Sequence, residues 1–401
     1  MRKSLPSLLG AAAGIALGLA ITLPCLVNIE ARAQEPTVKA KELDRFITAL
    51  ERIQAGYVDQ IDQSQLIDAA INGMLSVLDS QSTYLDWKLF RDMQVTHSLG
   101  PAGLGIETIP QKGRVKVIAP IDDTAAARAG VRPNDIITHI DGIPVERLTP
   151  HELFFEKTRG QVDTAVRLTI LREGEDKPLE FTLVRKMLRL NSVRVRRNGD
   201  DIGYIRIPLI NEWTMQVFGK AVGDLLSELT ADKLRGYVLD LRNTASAVVD
   251  SAVALADAFL EDGEIVSIRG RTSEQVEHFN AHPGDIINGK PLVVLINGGT
   301  ASGAEIVAGA LQDHKRATLV GTRSFGGGSR QTIVPLGARS GALRLTTGRY
   351  FTPAGRSFDG TGLVPDIEIR QDLPVNPEDD KVLTAAYDLL RGKDLSPKEK
   401  G

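Results

Sequence analysis

The sequence predicts a multidomain α/β protein in three parts: a helical N-terminal segment, a small β-rich unit, and a larger α/β region with a mainly parallel sheet. Three changes of pattern predict it. Apolar residues recur at helical spacing through roughly residues 38–96. From about Gly100, short strand runs and Gly-containing turns take over. Beyond about residue 190, apolar strand runs alternate with amphipathic helical stretches, as βαβ units require. A chain of 401 residues has length for two or three domains, each with its own core.

Composition then narrows the function. With 42% hydrophobic and 25% charged residues, wholesale disorder and a coiled-coil rod are excluded. The 48 Lys and Arg against 51 Asp and Glu leave no basic excess for neutralising phosphates, so no nucleic-acid partner is expected. Six His and one Cys argue against a multi-ligand metal site, and no motif calls for a cofactor.

At the start, Arg2 and Lys3 precede an uncharged stretch, residues 8–23, and Ala31-Arg32-Ala33 offers small residues ahead of Gln34. A positive start, an apolar centre and an A-x-A site read as a secretory signal peptide, residues 1–33, which predicts export to a periplasm. The alternative is an uncleaved segment that attaches the protein to the inner membrane, because the apolar run extended through residues 24–27 nearly spans a bilayer. Thr22-Leu23-Pro24 ahead of Cys25 is poor lipoprotein chemistry. Cleavage after Ala33 leaves a mature chain without cysteine, held by core burial alone.

Helical spacing follows in Leu43, Phe46, Ile47, Leu50 and Ile53, and again in Leu66, Ile67, Ala70, Ile71, Met74 and Leu75. Thr83-Tyr84-Leu85-Asp86 opens a third short element. Nothing in this segment predicts chemistry, and it reads as a packing or dimerisation module.

The β-rich unit begins with Gly103-Leu104-Gly105-Ile106 and continues through strand runs at 115–118 and 135–140, an Asp141-Gly142 hairpin turn, a short helix at 150–159, and strands at 165–171 and 179–184. It resembles a PDZ domain of the bacterial protease type. Gly103-Leu104-Gly105-Ile106 matches that family's carboxylate-binding loop, and Ala129-Gly130-Val131-Arg132-Pro133-Asn134-Asp135 its second turn, with Asn134 in the usual Gly place. A Gly-rich loop exposes backbone N–H groups to a terminal carboxylate, and the neighbouring strand edge accepts a peptide as an added strand. Ile106 and Leu153 are expected to line an apolar side-chain pocket.

In the third region, a strand at 202–207 precedes an amphipathic helix at 215–229. Buried-strand runs at 237–241 and 292–296 are each followed by a helical segment. Sites in such sheets lie at the carboxyl ends of the strands. There the sequence places Asn297-Gly298-Gly299-Thr300-Ala301-Ser302-Gly303-Ala304-Glu305, with a helix from about Ala304 to Gln312. Ser302 at a strand-to-helix turn has two readings. It is placed as a nucleophile whose oxyanion the helix N-terminus favours, and it is also a common N-cap.

Across nearly the whole mature chain the sequence resembles the carboxyl-terminal processing (tail-specific) serine peptidases. Asp44-Arg45-Phe46, Ala70-Ile71-Asn72-Gly73-Met74-Leu75, Gly203-Tyr204-Ile205-Arg206-Ile207 and the stretches at 304–313, 348–357 and 362–366 carry the match. The resemblance implies a crotonase/Clp-like peptidase domain and endoproteolysis near protein C-termini. It implies domains at 34–98 (helical), 99–186 (PDZ) and 187–372 (peptidase-like), with a C-terminal segment at 373–401. It also implies protein C-terminal tails as partners, and homo- or hetero-oligomers with family members. In that family the Ser of S-A-S-A-x-E is activated by the Lys of F-G-K-G-x-x-Q, and the Gln orients that Lys. Ser302 falls on the nucleophile and Gln331 on the orienting position, but Gly327 occupies the Lys position.

A Ser hydroxyl needs a base, and Gly supplies none. Lys315 and His314 lie past the end of the helix that Ser302 starts, Arg323 and Arg330 stay protonated, and His278 or His282 could approach only by a fold-over. The oxyanion side departs too. Where the family has L-R-N-N-P-G-G, this chain has Leu241-Arg242-Asn243-Thr244-Ala245-Ser246-Ala247, so the expected oxyanion donors are the N–H groups of Gly303, Ser246 and Ala247, with a turn distorted by lost glycines. The sequence therefore predicts a tail-binding family member with impaired catalysis. The alternative is an active serine endopeptidase that uses another base.

Overall fold

A computed structural model describes residues 40–96, 102–111, 114–148, 152–188, 192–229, 232–246, 248–371 and 379–393. The predicted signal segment, residues 1–33, lies outside the described residues. The chain divides into two compact units, residues 1–66 and 67–401. In the first, the helix Ala40–Gly56 leaves Leu43, Phe46, Ile47 and Ile53 exposed. Among the described residues no helix is long and apolar enough to cross a membrane.

The second unit is built on a six-stranded sheet in the order Arg194–Asn198, Ile202–Arg206, Gly236–Asp240, Leu292–Ile296, Thr318–Gly321, Ile367–Glu368. The first pair is antiparallel and the rest are parallel. Side chains alternate across the strands, and both faces are covered. Tyr237, Leu239, Leu292, Val294 and Ile296 join one apolar cluster with Phe218, Leu255 and Ile306, from the helices Thr214–Glu228, Val249–Asp257 and Gly303–Asp313. Val238, Val293 and Leu295 join another with Val382, Leu383 and Ala386 of the helix Lys381–Leu390. Double coverage is why these strands are continuous apolar runs.

A second, antiparallel sheet stands beside the first. Ala342–Phe351 pairs with Ser329–Pro335, with Glu264–Arg269 and with the short strand Thr83–Leu85. The short element expected to open at residues 83–86 is that strand, and Asp86 starts the helix Trp87–Thr96, its Oδ1 accepting from the Leu89 N–H at 2.8 Å.

The β-rich unit has strand order Ile106–Gln111, Arg114–Pro120, Ile136–Ile140, Ala165–Leu171, Leu179–Val184, which leaves Ile106–Gln111 at an edge. Val117, Ile137, Ile140, Val166, Leu168 and Ile170 form its core. The helix expected at 150–159 is a six-residue π-helical turn, Glu152–Lys157. Its Leu153 is buried in that core, with Ile106 packed against the same cluster. Asn134, in the usual Gly place, has φ 71, a conformation Asn tolerates better than most residues.

Arg206 joins the β-rich unit to the large sheet. Its Nε and Nη2 donate to Asp122 at 3.0 and 2.9 Å, and its Nη1 donates to the Asp240 carbonyl and to Thr244 Oγ1.

Candidate active site

At the carboxyl ends of the two central strands, side chains tie the backbone together. Asn297 Oδ1 accepts from the N–H of Asn243 at 2.9 Å and of Gly299 at 3.0 Å, and its Nδ2 donates to Asn243 Oδ1. Thr300 Oγ1 donates to the Leu241 carbonyl at 2.8 Å. Beneath them, burial would raise the Asp240 carboxyl, but Arg242 and Arg206 outweigh it and hold the group down at about 2. Arg242 bridges Asp240 to Asp380.

This frame delivers two short extended segments side by side. Ala245–Ser246 pairs in parallel with Ala301–Ser302, and Ser246 stands opposite Ser302. The expected oxyanion wall therefore adjoins the expected nucleophile, while Ala247 lies outside the described residues. Ala245 and Ser246, at the turn expected to be distorted by lost glycines, form this two-residue strand. The left-handed residue of this turn is Asn243, with φ 53, pinned by Asn297.

Ser302 is the N-cap residue of the helix Gly303–Asp313, yet its φ is 52 and ψ −110. Ordinary N-caps have extended dihedrals, and positive φ is uncommon for Ser. Capping alone does not require this conformation. A sparsely populated backbone geometry held by its surroundings is a mark of functional turns.

The holding group is Glu305, fully buried. Its Oε2 accepts from the N–H of Ser302 at 2.8 Å and of Gly327 at 2.7 Å. Its Oε1 accepts from the Gly326 N–H at 2.8 Å and from Ser324 Oγ. Burial pushes this carboxyl up to about 7, against the pull of the four donors. One side chain thereby locks the loop 324–327 onto the Ser302 turn. Sequence reasoning assigns Glu305 no role, although Ser302-x-x-Glu305 has the spacing of a capping box.

A Cβ added at Gly327 would lie 3.1 Å from Ser302 N and 3.5 Å from Glu305 Oε2. Gly327 and Ser302 are therefore brought together. Gln331 sits on the strand Ser329–Pro335, where its Nε2 donates to Thr346 Oγ1 at 2.8 Å and to Ser329 Oγ at 3.2 Å. Its Oε1 is buried without a hydrogen-bond partner. Gln81 Nε2 donates to the same Ser329 Oγ, so the turn before Thr83–Leu85 touches this wall. A segment expected only to pack or dimerise thus reaches the site.

The alternative bases are engaged elsewhere. His278 Nδ1 contacts Glu264, His282 contacts Asp257, and His314 Nε2 contacts the Glu264 carbonyl. Arg323 donates to the Thr361 carbonyl and Arg330 to Glu277. Lys315 follows the helix, at φ 53. Among the described residues, no hydrogen bond joins any of them to Ser302. A further amine, which sequence reasoning misses, lies against the loop. Lys116, on the strand Arg114–Pro120, places Nζ 4.8 Å from the centre of the Phe325 ring, and burial lowers its pKa. No sequence signal ties these two positions.

In the β-rich unit, the loop at Leu104 and Gly105 turns its carbonyls inward. Ile121 N–H and Thr124 Oγ1 donate to Gly105 O, and Ala126 N–H donates to Leu104 O. Among the described residues, no hydrogen bond from the N–H of Leu104 or Gly105 is found. Gly105 has φ 76, and a Cβ there would meet the Thr124 side chain at 2.2 Å, so both the turn and the packing demand glycine.

Comparison with known proteins adds three family matches: peptidase family S41 over residues 201–369, a PDZ domain over 102–183, and the activating protease CtpB N-terminal domain over 25–88. A carboxy-terminal-processing protease of Bartonella bacilliformis is 46% identical over 364 residues, covering 90% of this chain and 83% of that protein. The carboxy-terminal processing protease CtpB of Bacillus subtilis is 31% identical, covering 90% and 75%. Among solved structures, the photosystem II D1 C-terminal processing protease superposes with a TM-score of 0.69 at 26% identity, covering 83% of this chain and 95% of that one.

Proposed function

The chain belongs to the carboxy-terminal-processing serine proteases of peptidase family S41, and from that premise we propose that it is a tail-binding member with impaired catalysis. It captures C-terminal tails of other proteins through the PDZ domain and turns them over poorly or not at all. The observation that carries this reading is Gly327. The position where the family has its general base lies against the Ser302 turn and holds no amine. The orphaned Gln331 Oε1 supports it, because a buried acceptor without a partner is what a deleted donor leaves behind.

The rest of the machinery is of a kind that backbone supplies. In a peptidase of this family Ser302 Oγ would attack the scissile carbonyl, and the N–H groups beside it would hold the oxyanion. That step needs a group to take the hydroxyl proton. For tail capture, the support is an edge strand, Ile106–Gln111, that starts at a loop with N–H groups to spare. We further place the protein outside the cytoplasm, exported by residues 1–33 or attached to the inner membrane by them, and in oligomers with like subunits.

The second reading is an active peptidase with another base, and Lys116 is the observation that favours it. Burial lowers the pKa of its amine, the direction such a base needs, and the amine lies over Phe325 of the loop whose family base is absent. Mass spectrometry of a tailed peptide incubated with the wild-type, Ser302→Ala and Lys116→Met proteins separates the two. No Ser302-dependent product supports impairment. Product lost in both variants establishes Lys116.

A further inference from the structure

A cleft of about 490 Å³ opens where the PDZ domain meets the carboxyl ends of the large sheet. Its walls are Arg132 and Asn134 from the PDZ turn, Asn297 and Gly298 from the segment before Ser302, and Arg323 and Arg370 from the peptidase domain. The size is in the range of clefts that hold ligands.

Glycine makes this junction. Added Cβ atoms would lie 3.1 Å from Asn134 Nδ2 at Gly298 and 2.9 Å from Pro133 at Gly299. Two glycines thus let the PDZ turn come down on the backbone that leads to the nucleophile. The cleft and the Ser302 turn share that backbone.

The charges of the cleft are unbalanced. Three arginines line it against one acid, Glu368, and that acid is taken by Arg370 at 2.7 Å. Among the described residues, no carboxylate pairs with Arg132 or Arg323. Arg132 Nε is buried without a hydrogen-bond partner, a donor that burial has removed from water and nothing has repaid. Guanidinium groups match carboxylates in geometry and charge, and they keep their charge at any working pH.

We propose that this cleft is a subsite for acidic side chains of the bound polypeptide, held by Arg132 and Arg323 upstream of the tail that the PDZ loop grips. The inference rests on the tail-binding reading and names its substrate class: chains with Asp or Glu ahead of the terminal segment. It adds a second anchor, distinct from the terminal carboxylate. The two anchors would bring the intervening chain past Ser302.

A four-peptide comparison separates this proposal from the reading beneath it. Fluorescent peptides with a common apolar C-terminus carry either Glu or Gln at three upstream positions, and either a free or an amidated terminus. Binding to the whole protein is read by anisotropy. Glu peptides should bind about fivefold more tightly than Gln peptides, with the difference shrinking as salt is raised. The double variant Arg132→Gln, Arg323→Gln should erase that difference, while Lys220→Gln, which removes an exposed charge on the helix Thr214–Glu228, should keep it. Equal affinity of Glu and Gln peptides overturns the acidic subsite, even if amidation still weakens binding. Loss of the amidation effect alone overturns PDZ tail capture and leaves the subsite standing. Because the Glu-to-Gln change is made in the peptide, the outcome does not depend on any variant folding.

Discussion

Two glycine-bearing loops of this molecule differ in what their expected tasks require. In the loop at Leu104 and Gly105 the expected task falls to backbone N–H groups, beside the φ 76 of Gly105, inward carbonyls and an edge strand. The loop at 324–327 is held by three hydrogen bonds to Glu305, which also accepts from the Ser302 N–H, but the task expected of this loop needs a side chain, and Gly327 has none. Function carried by backbone survives substitution of most residues. Function carried by one amine is lost with one residue. The expected oxyanion wall is likewise a backbone task, and Ser246 stands opposite Ser302 although this chain has no Pro-Gly-Gly there.

The largest expected effect tests whether the second loop is held as described. Glu305→Ala orphans four donors in a buried site, each costing about 1–3 kcal/mol. Melting should move down steeply, and proteolysis should open the chain near residues 324–327. A variant as stable as wild type would show that Glu305 is not the clamp.

The first loop is sharpened by Gly105→Ala. The new Cβ meets Thr124, and left-handed backbone costs Ala about 1–2 kcal/mol, so affinity for a free-carboxylate tail should fall about tenfold. Unchanged affinity would move the tail site elsewhere.

Gly327→Lys asks how much of the comparison rests on one amine. A positioned base contributes about 10²–10⁴-fold, but here the first carbon must fit 3.1 Å from Ser302 N. We expect cleavage of a tailed peptide to rise about tenfold over background, well below the full factor. Adding Pro-Gly-Gly at 245–247 should raise it further if the wall is mis-shaped. With Ala245–Ser246 already extended, that second gain should be the smaller one.

The smallest effect is a pH dependence. The Glu305 carboxyl, raised to about 7 in the folded protein, sits near 4.5 when the chain unfolds. Between these values the folded state binds the extra proton, so stability rises as pH falls from 7 towards 5 and is lower above 7. Glu305→Gln should flatten this slope in thermal melts at pH 5.5 and 8. An unchanged slope would assign the titration to another group.

How much is legible in the sequence follows the range of the interactions. The central strands can be read because burial on both faces makes them unbroken apolar runs, and the helix after Ser302 because its start and period are local. The Ser302–Gly327 pairing comes from resemblance to a family. The antiparallel sheet around Ala342–Phe351 escapes a sequence reading, since its partners come from residues 83–85, 264–269 and 329–335 and no local pattern announces them. Lys116 over Phe325 is out of reach for the same reason. Glu305 is within reach, because a Ser three residues ahead of a Glu at a helix start is a local signal, and only its role as a clamp on a distant loop needs the structure.

The central claim is that Ser302 lacks a working base. The direct test is the time course of a tailed peptide incubated with the wild-type protein and with Ser302→Ala, followed by mass spectrometry at pH 7 and 9. The account predicts that the two time courses coincide while both proteins bind the peptide. Product that accumulates with wild type and not with Ser302→Ala would contradict it.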